Sequence, residues 1–420
     1  MTTTVQTSVP SGSLAGNCES RFAAVAAEFT KNFTERGELG GSVCVMHHGE
    51  TVVDLWGGTA REDGGETWNS DTLSVVWAST KGAVSFCTHL LAARGEIDLD
   101  APVADYWPEY AQNGKAATTV KMMLNHQSGI CAVSEPLPAG AYADWDTMIK
   151  AIEKQAPFFE PGTTHGYEAL TYGWLLGEVI RRVTGLSLGT FFRTALAEPL
   201  GIDFWIGLPE SEEHRTARMI LPATDPANLS PFMQAMADPT SVQALALGNS
   251  GGYMDLDENG VRNFDLPLAH GAEIGAAGGM TNGRGLAGLY APLACGGSLN
   301  GVDYVDADTL ARMAAVSSAS SRDFTLLAPM RFSLGYFKSV DNRRGPANMR
   351  DSMFLPEPAF GHPGYGGSIG FADPESGISF GYTMNRMGDG MLLNERGQSL
   401  IDAVYRSLGY RSRESGFWLK

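Results

Sequence analysis

Strand-forming patterns stand near both ends of this 420-residue chain and helical ones fill most of the space between, which restricts its fold more than any single motif does. Residues 42–58, SVCVMHHGETVVDLWGG, read as two strands joined at a His-Gly turn, and residues 366–384, GGSIGFADPESGISFGYTM, read as strand, turn and strand again. Phe22, Val25, Ala26, Phe29 and Phe33 recur at helical spacing between Cys18 and Gly37, and Leu400, Ile401, Val404 and Leu408 do so near the end. The pattern predicts an α+β fold: an antiparallel sheet assembled from both ends, flanked by terminal helices and interrupted by a helical region.

The opening stretch MTTTVQTSVPSGSLAG reads as a polar tail. Helices are predicted after Thr80, around Thr119 to Leu124, from Tyr172 to Val183 and from Leu188 to Ala197, between Gly/Pro-rich loops. The expected division is an α/β unit from residues 1–75 and 290–420 and a mainly helical unit from 76–289, with the site in the cleft between them.

A net charge of −17 disfavours nucleic acid and anionic membrane surfaces as partners. No apolar run reaches membrane-spanning length, and the start lacks the basic and apolar regions of a signal peptide, so a cytoplasmic location is expected. Cys18, Cys44, Cys87, Cys131 and Cys295 are odd in number and show no CxxC spacing, which favours reduced thiols. His47 and His48 fall in a predicted turn without ligand spacing, so no metal or other cofactor is expected.

The chemistry is concentrated where Ala78-Ser79-Thr80-Lys81 opens a helix whose inner face carries Val84, Cys87, Leu90 and Leu91. Positions three apart on a helix share a face, so residue 78 meets Lys81, whereas Ser79 points elsewhere. This stretch resembles the S-x-x-K box of serine β-lactamases, penicillin-binding proteins and family VIII carboxylesterases, with alanine in the serine's place. The likeness continues through TVKMMLNHQSGI, through Pro161-Gly162-Thr163, which sets Tyr167 where class C enzymes carry a catalytic tyrosine, and through His362-Pro363-Gly364. Ala169 replaces that box's asparagine, and a His-x-Gly stands for Lys-Thr-Gly, departures associated with the esterase branch.

The resemblance implies a serine carboxylesterase acting on small carboxylic esters through an acyl-enzyme, with Lys81 and Tyr167 sharing the nucleophile's proton, each with its pKa lowered by the other. It further implies an oxyanion held by the backbone N–H groups of Ala78 and Tyr365. His362, Gly364, Trp77 and Trp174 are expected to contact substrate, and His126 to orient a loop. An acyltransferase or a β-lactamase-type amide hydrolase would use the same residues.

Two G-x-S-x-G matches, at Ser250 and Ser368, lack the strand-then-helix context of a nucleophile elbow. Ala78 itself permits three readings: an engineered serine-to-alanine change that traps a substrate or product in an otherwise complete enzyme, a natural pseudoenzyme that binds without reacting, or a nucleophile shifted to Ser79. The first is favoured, because a protein freed from catalysis has no physical need to keep Lys81, Tyr167 and the His-x-Gly together.

Overall fold

The computed structural model describes all residues, Met1–Lys420. A seven-stranded antiparallel sheet is built from β1 (Thr2–Val9), β2 (Gly12–Glu19), β3 (Gly40–His47), β4 (Glu50–Gly58), β5 (Phe360–Pro363), β6 (Ile369–Asp373) and β7 (Ile378–Met384), in the order β1-β2-β4-β3-β7-β6-β5. The two ends of the chain meet where β7 pairs with β3, from Ile378 opposite His47 to Met384 opposite Gly41.

Successive residues of β6 point to opposite faces, as the period of two requires. Gly370 lies against Tyr290 and Leu286 of α5 (Gly283–Ala294), while Phe371 stacks on Tyr405 of α6 (Glu395–Ser407) with ring centroids 6.4 Å apart. On the α6 side α1 (Ala23–Glu35) packs along α6 and against β1, β2 and β4. A buried ion pair from Arg396 to Glu38, 2.7 Å, ties α6 to the connection that leads into β3.

The helical region contains α2 (Lys81–Ala93), α3 (Val120–Leu124) and α4 (Thr171–Thr184), and α2 packs against both α4 and the short helix Leu188–Phe192. The last of these runs on as a π-helical turn, Arg193–Ala197, completing the predicted span. One cluster of 102 buried residues runs through both regions, so neither half has a core of its own. No helix is long and apolar enough to cross a membrane.

Two expectations are corrected. Residues 1–16 are not a tail but form β1 and most of β2, and Cys18 belongs to β2 rather than to the following helix. The boundary at 290 falls inside α5, which packs on β3, β6 and β7 and so belongs to the sheet layer from Gly283 onward.

Candidate active site

The segment that leads to Ala78 is fixed on both sides by backbone pairing. Ser74–Val75 runs antiparallel to Met280–Thr281, and the Val76 N–H donates to the Gly279 carbonyl at 2.9 Å. The chain then turns sharply: Trp77 has φ of +48°, in the left-handed region that a bulky side chain disfavours. Thr80 holds the turn, its Oγ1 donating to the Trp77 carbonyl at 2.6 Å and accepting from the Gly279 N–H at 2.8 Å. The Trp77 ring is clamped by Phe264 and Tyr365, with centroids 4.7 and 5.7 Å away.

Trp77–Thr80 is a 3₁₀ turn and Lys81 is the first residue of α2, so positions 78 and 81 eclipse one another at three residues per turn. Ser79 is turned inward, its Oγ 3.3 Å from the Ser368 Oγ, which in turn donates to the Val76 carbonyl at 3.0 Å. Of residues 72–80 only Ala78 is not buried. Both serines of interest, Ser79 and Ser368, are therefore braces, and Ser250 accepts from the Met254 N–H at 3.2 Å within a turn.

Lys81 is fully buried, and its Nζ donates to the carbonyls of Ala169 (2.8 Å) and Ala276 (3.0 Å). Burial drives its pKa well below the usual lysine value, only partly offset by nearby Glu168. In the neutral form that burial favours, the amine has two N–H groups and one lone pair, so with both N–H groups on these carbonyls the lone pair is left to take a proton. Glu168 is itself buried, its Oε1 accepting from Ser128, and burial raises its carboxyl toward the neutral acid.

Tyr167 follows the Pro161-Gly162-Thr163 turn, in which Gly162 has φ of +84° and Thr163 Oγ1 donates to the Glu160 carbonyl at 2.7 Å. Its ring centroid lies 4.7 Å from the Lys81 Nζ. The expected mutual lowering of the two pKa values is half right in direction and wrong in cause. Burial lowers that of Lys81 and raises that of Tyr167 well above an ordinary phenol, with Tyr172 and Asp323 adding to the rise. Burial thus displaces both groups toward their neutral forms, amine and phenol.

His126 is buried with φ of +62°, and its Nδ1 accepts from the Glu168 N–H at 3.2 Å, consistent with the loop-orienting place expected of it. His362 differs from expectation. Its ring is 1% exposed, and Nδ1 donates to the Pro363 carbonyl at 2.8 Å. It sits 6.2 Å from the Tyr167 ring and 4.8 Å from that of Phe337, a wall of the tyrosine's surroundings rather than a substrate contact. Burial lowers its pKa well below the usual histidine value, so it is neutral near pH 7.

Gly364 is likewise no ligand: a methyl group there would overlap the Val76 carbonyl and Ser368, so glycine lets β5 abut the turn at Ala78. Trp174 is buried within α4 without a ring contact to Trp77, Tyr167 or His362. Tyr365 stands out as the one incompletely buried residue of the stretch 359–373. Neither its N–H nor that of Ala78 is hydrogen-bonded within the chain.

Beside Tyr365 opens a hollow of about 320 Å³ whose walls include Phe232, Met233, Leu326, Met330 and Met391. Asp225 and Asp389 stand among its polar lining. Asp323, which carried no motif in the sequence, lies fully buried behind Tyr167 and accepts from its N–H at 3.1 Å.

A family model described as Beta-lactamase matches residues 23–404. The Esterase/beta-lactamase LipL of Mycobacterium tuberculosis is 32% identical over 411 residues, covering 96% of this chain and 90% of that protein. A crystal structure of a family VIII carboxylesterase has a TM-score of 0.80 at 37% identity, covering 94% of this chain and 99% of that one. A penicillin-binding protein homologue from Caulobacter crescentus also has a TM-score of 0.80, at 34% identity over 94% of this chain and 99% of that one. Matches of this extent accord with a fold whose sheet and helical regions share one core: the chain has an esterase/β-lactamase-type hydrolase fold and belongs to the β-lactamase family.

Proposed function

We propose that this chain is a carboxylesterase scaffold for small esters bearing an apolar group, and that Ala78 stands where an acylating serine is required. The observation that carries the reading is the isolation of the Ala78 methyl. Ala78 is the one partly exposed residue in a buried turn, three residues before the buried amine of Lys81, and its own N–H is unpaired. The family VIII carboxylesterase supports ester substrates, and the name of the Esterase/beta-lactamase LipL covers esters and β-lactams alike.

With serine at 78, its Oγ attacks the acyl carbonyl carbon while the Lys81 lone pair takes the hydroxyl proton. The carbonyl oxygen, now an oxyanion, is held by the N–H groups of residue 78 and Tyr365, each worth about 3 kcal/mol in preorganised sites of this kind. As the C–O bond to the alcohol breaks, the Tyr167 phenol protonates the leaving oxygen and recovers its proton from Lys81. Water then repeats the sequence on the acyl-enzyme, releasing acid and regenerating serine.

The hollow beside Tyr365 suits an apolar acyl or alcohol group: at ~30 Å³ per water-sized unit its volume corresponds to about ten heavy atoms. A β-lactam carboxylate is served less well, since His362 is neutral and buried where a lysine would supply a point charge. Without a hydroxyl at 78 the chain binds but does not acylate.

The test is Ala78→Ser. The serine protein is expected to hydrolyse short p-nitrophenyl esters and to gain a covalent mass adduct from a fluorophosphonate, while the alanine protein does neither. A folded serine protein inert in both assays would turn the reading to that of a natural binding protein.

A further inference from the structure

We propose that Asp323 is the positioning residue of Tyr167, fixing the phenol against Lys81 and coupling it to the wall of the hollow beside Tyr365; this rests on the role given to Tyr167 above. Asp323 is fully buried, and no lysine or arginine pairs with it. Its Oδ1 accepts from the N–H groups of Thr325 (2.9 Å) and Leu326 (2.7 Å), and its Oδ2 from His165 Nδ1 (2.7 Å). Both oxygens accept from the Tyr167 N–H at 3.1 Å. A buried carboxylate is tolerable only when its lone pairs are filled in this way, so its geometry is tightly determined.

The same two segments are joined a second time, by the Phe324 N–H donating to the His165 carbonyl at 3.0 Å. The loop then closes on itself through Asp323 N–H to the Ala328 carbonyl (2.9 Å) and Leu327 N–H to the Asp323 carbonyl (3.0 Å). Leu326 and Ala328 line the hollow. One carboxylate thus anchors the amide of the candidate proton donor and the start of the loop that walls the substrate space.

The Tyr167 hydroxyl makes no hydrogen bond within the chain, so nothing at that end holds it. Its place is set by its backbone and by the faces around its ring. Phe332 lies nearly parallel at 6.4 Å, His126 at 4.9 Å, and His165 in turn abuts Phe332 at 4.9 Å. The titratable groups around the phenol are Lys81, His126, Tyr172, His362 and, through the backbone, Asp323. The negative charge of Asp323 also favours the protonated phenol, in the same sense as burial.

In the serine-restored background, Asp323→Asn is expected to lower kcat up to about 100-fold, the loss that a misplacement near 1 Å produces, with KM for p-nitrophenyl acetate within about twofold. Added to Tyr167→Phe it is expected to cost little more, because the two act as one unit. In the alanine chain, ¹³C NMR of tyrosine Cζ is expected to show the Tyr167 phenol ionising at lower pH in Asp323→Asn than in the parent. Unchanged kcat in a folded variant, fully additive losses, or an unmoved titration each overturn the proposal.

If Asp323→Asn does not fold, His165→Phe removes one donor and keeps the amide bonds. It is read the same way: reduced kcat at constant KM, with unchanged kcat overturning the proposal. A serine protein inert on every ester refutes the catalytic reading, and the phenol titration then decides Asp323 alone.

Discussion

The helical side of the cleft and the sheet side furnish the site with different kinds of group. From the helical region come side chains, Lys81 and Tyr167, fully buried and each displaced toward its neutral form. From the sheet side comes backbone: the free N–H of Tyr365 and a glycine, Gly364, that lets β5 reach the turn at Ala78, while His362 faces inward. On the reading proposed above, the helical side contributes side chains together with the N–H of Ala78, whereas the sheet side contributes main chain alone.

The strongest way to break that contrast is Lys81→Met in the serine-restored protein, expected to remove about 10³-fold or more of kcat. Retained turnover would mean that the base is elsewhere. Lys81 also has a signature that needs no activity. Its folded pKa lies below the unfolded value of 10.5, so between the two the unfolded chain binds more protons and stability rises with pH. Urea unfolding of the alanine chain at about pH 7 and about pH 10 is expected to show that rise, and the Lys81→Met protein to lack it. Esterase activity of the serine protein is expected to disappear as the pH falls through the same folded pKa.

Gly364→Ala tests the sheet side. Overlap of the new methyl with the Val76 carbonyl and Ser368 is expected to displace the Tyr365 amide, lowering kcat by about 100-fold and Tm by several degrees. Normal kinetics would show that the strand does not define the oxyanion position. The smallest effect is expected from His362→Gln, less than about 10-fold in kcat/KM, because the ring touches Tyr167 and Phe337 rather than the open cleft. A larger loss with KM alone raised would restore His362 as a substrate contact.

Much of this architecture is legible in the chain because its periodicities are strong. The His-Gly turn and its flanking β-branched residues announce β3 and β4, and Leu400, Ile401 and Val404 announce α6, in which all three are fully buried. The β1–β2 hairpin was hidden because β1 is an edge strand: only Val5, Thr7 and Val9 are half-covered, and threonine at such positions looks like solvent-exposed loop. The α5 boundary was misplaced because a helix covered on most sides lacks a polar face to mark where one layer ends.

At the site, Lys81 and Tyr167 come together as the motif spacing implies, since short turns fix their local geometry. Asp323 could not be found this way. It reaches Tyr167 from far along the chain, and all its partners except the His165 ring are backbone N–H groups, which leave no trace in residue identities. The inward turn of His362 depends on its own neighbour's carbonyl, a choice between rotamers that no periodicity records.

The pairing of β7 with β3 has a consequence in time as well as in space. A chain emerging from the ribosome carries Lys81 and Tyr167 well before Tyr365, and the segment bearing that amide is set in place only when β7 zips onto β3 in register. A slip by one residue would exchange the two faces of β7 and leave α5 without its seat. On the reading proposed above, a partly synthesised chain therefore has the amine and the phenol but lacks the second N–H of the oxyanion cradle until β7 and β3 pair.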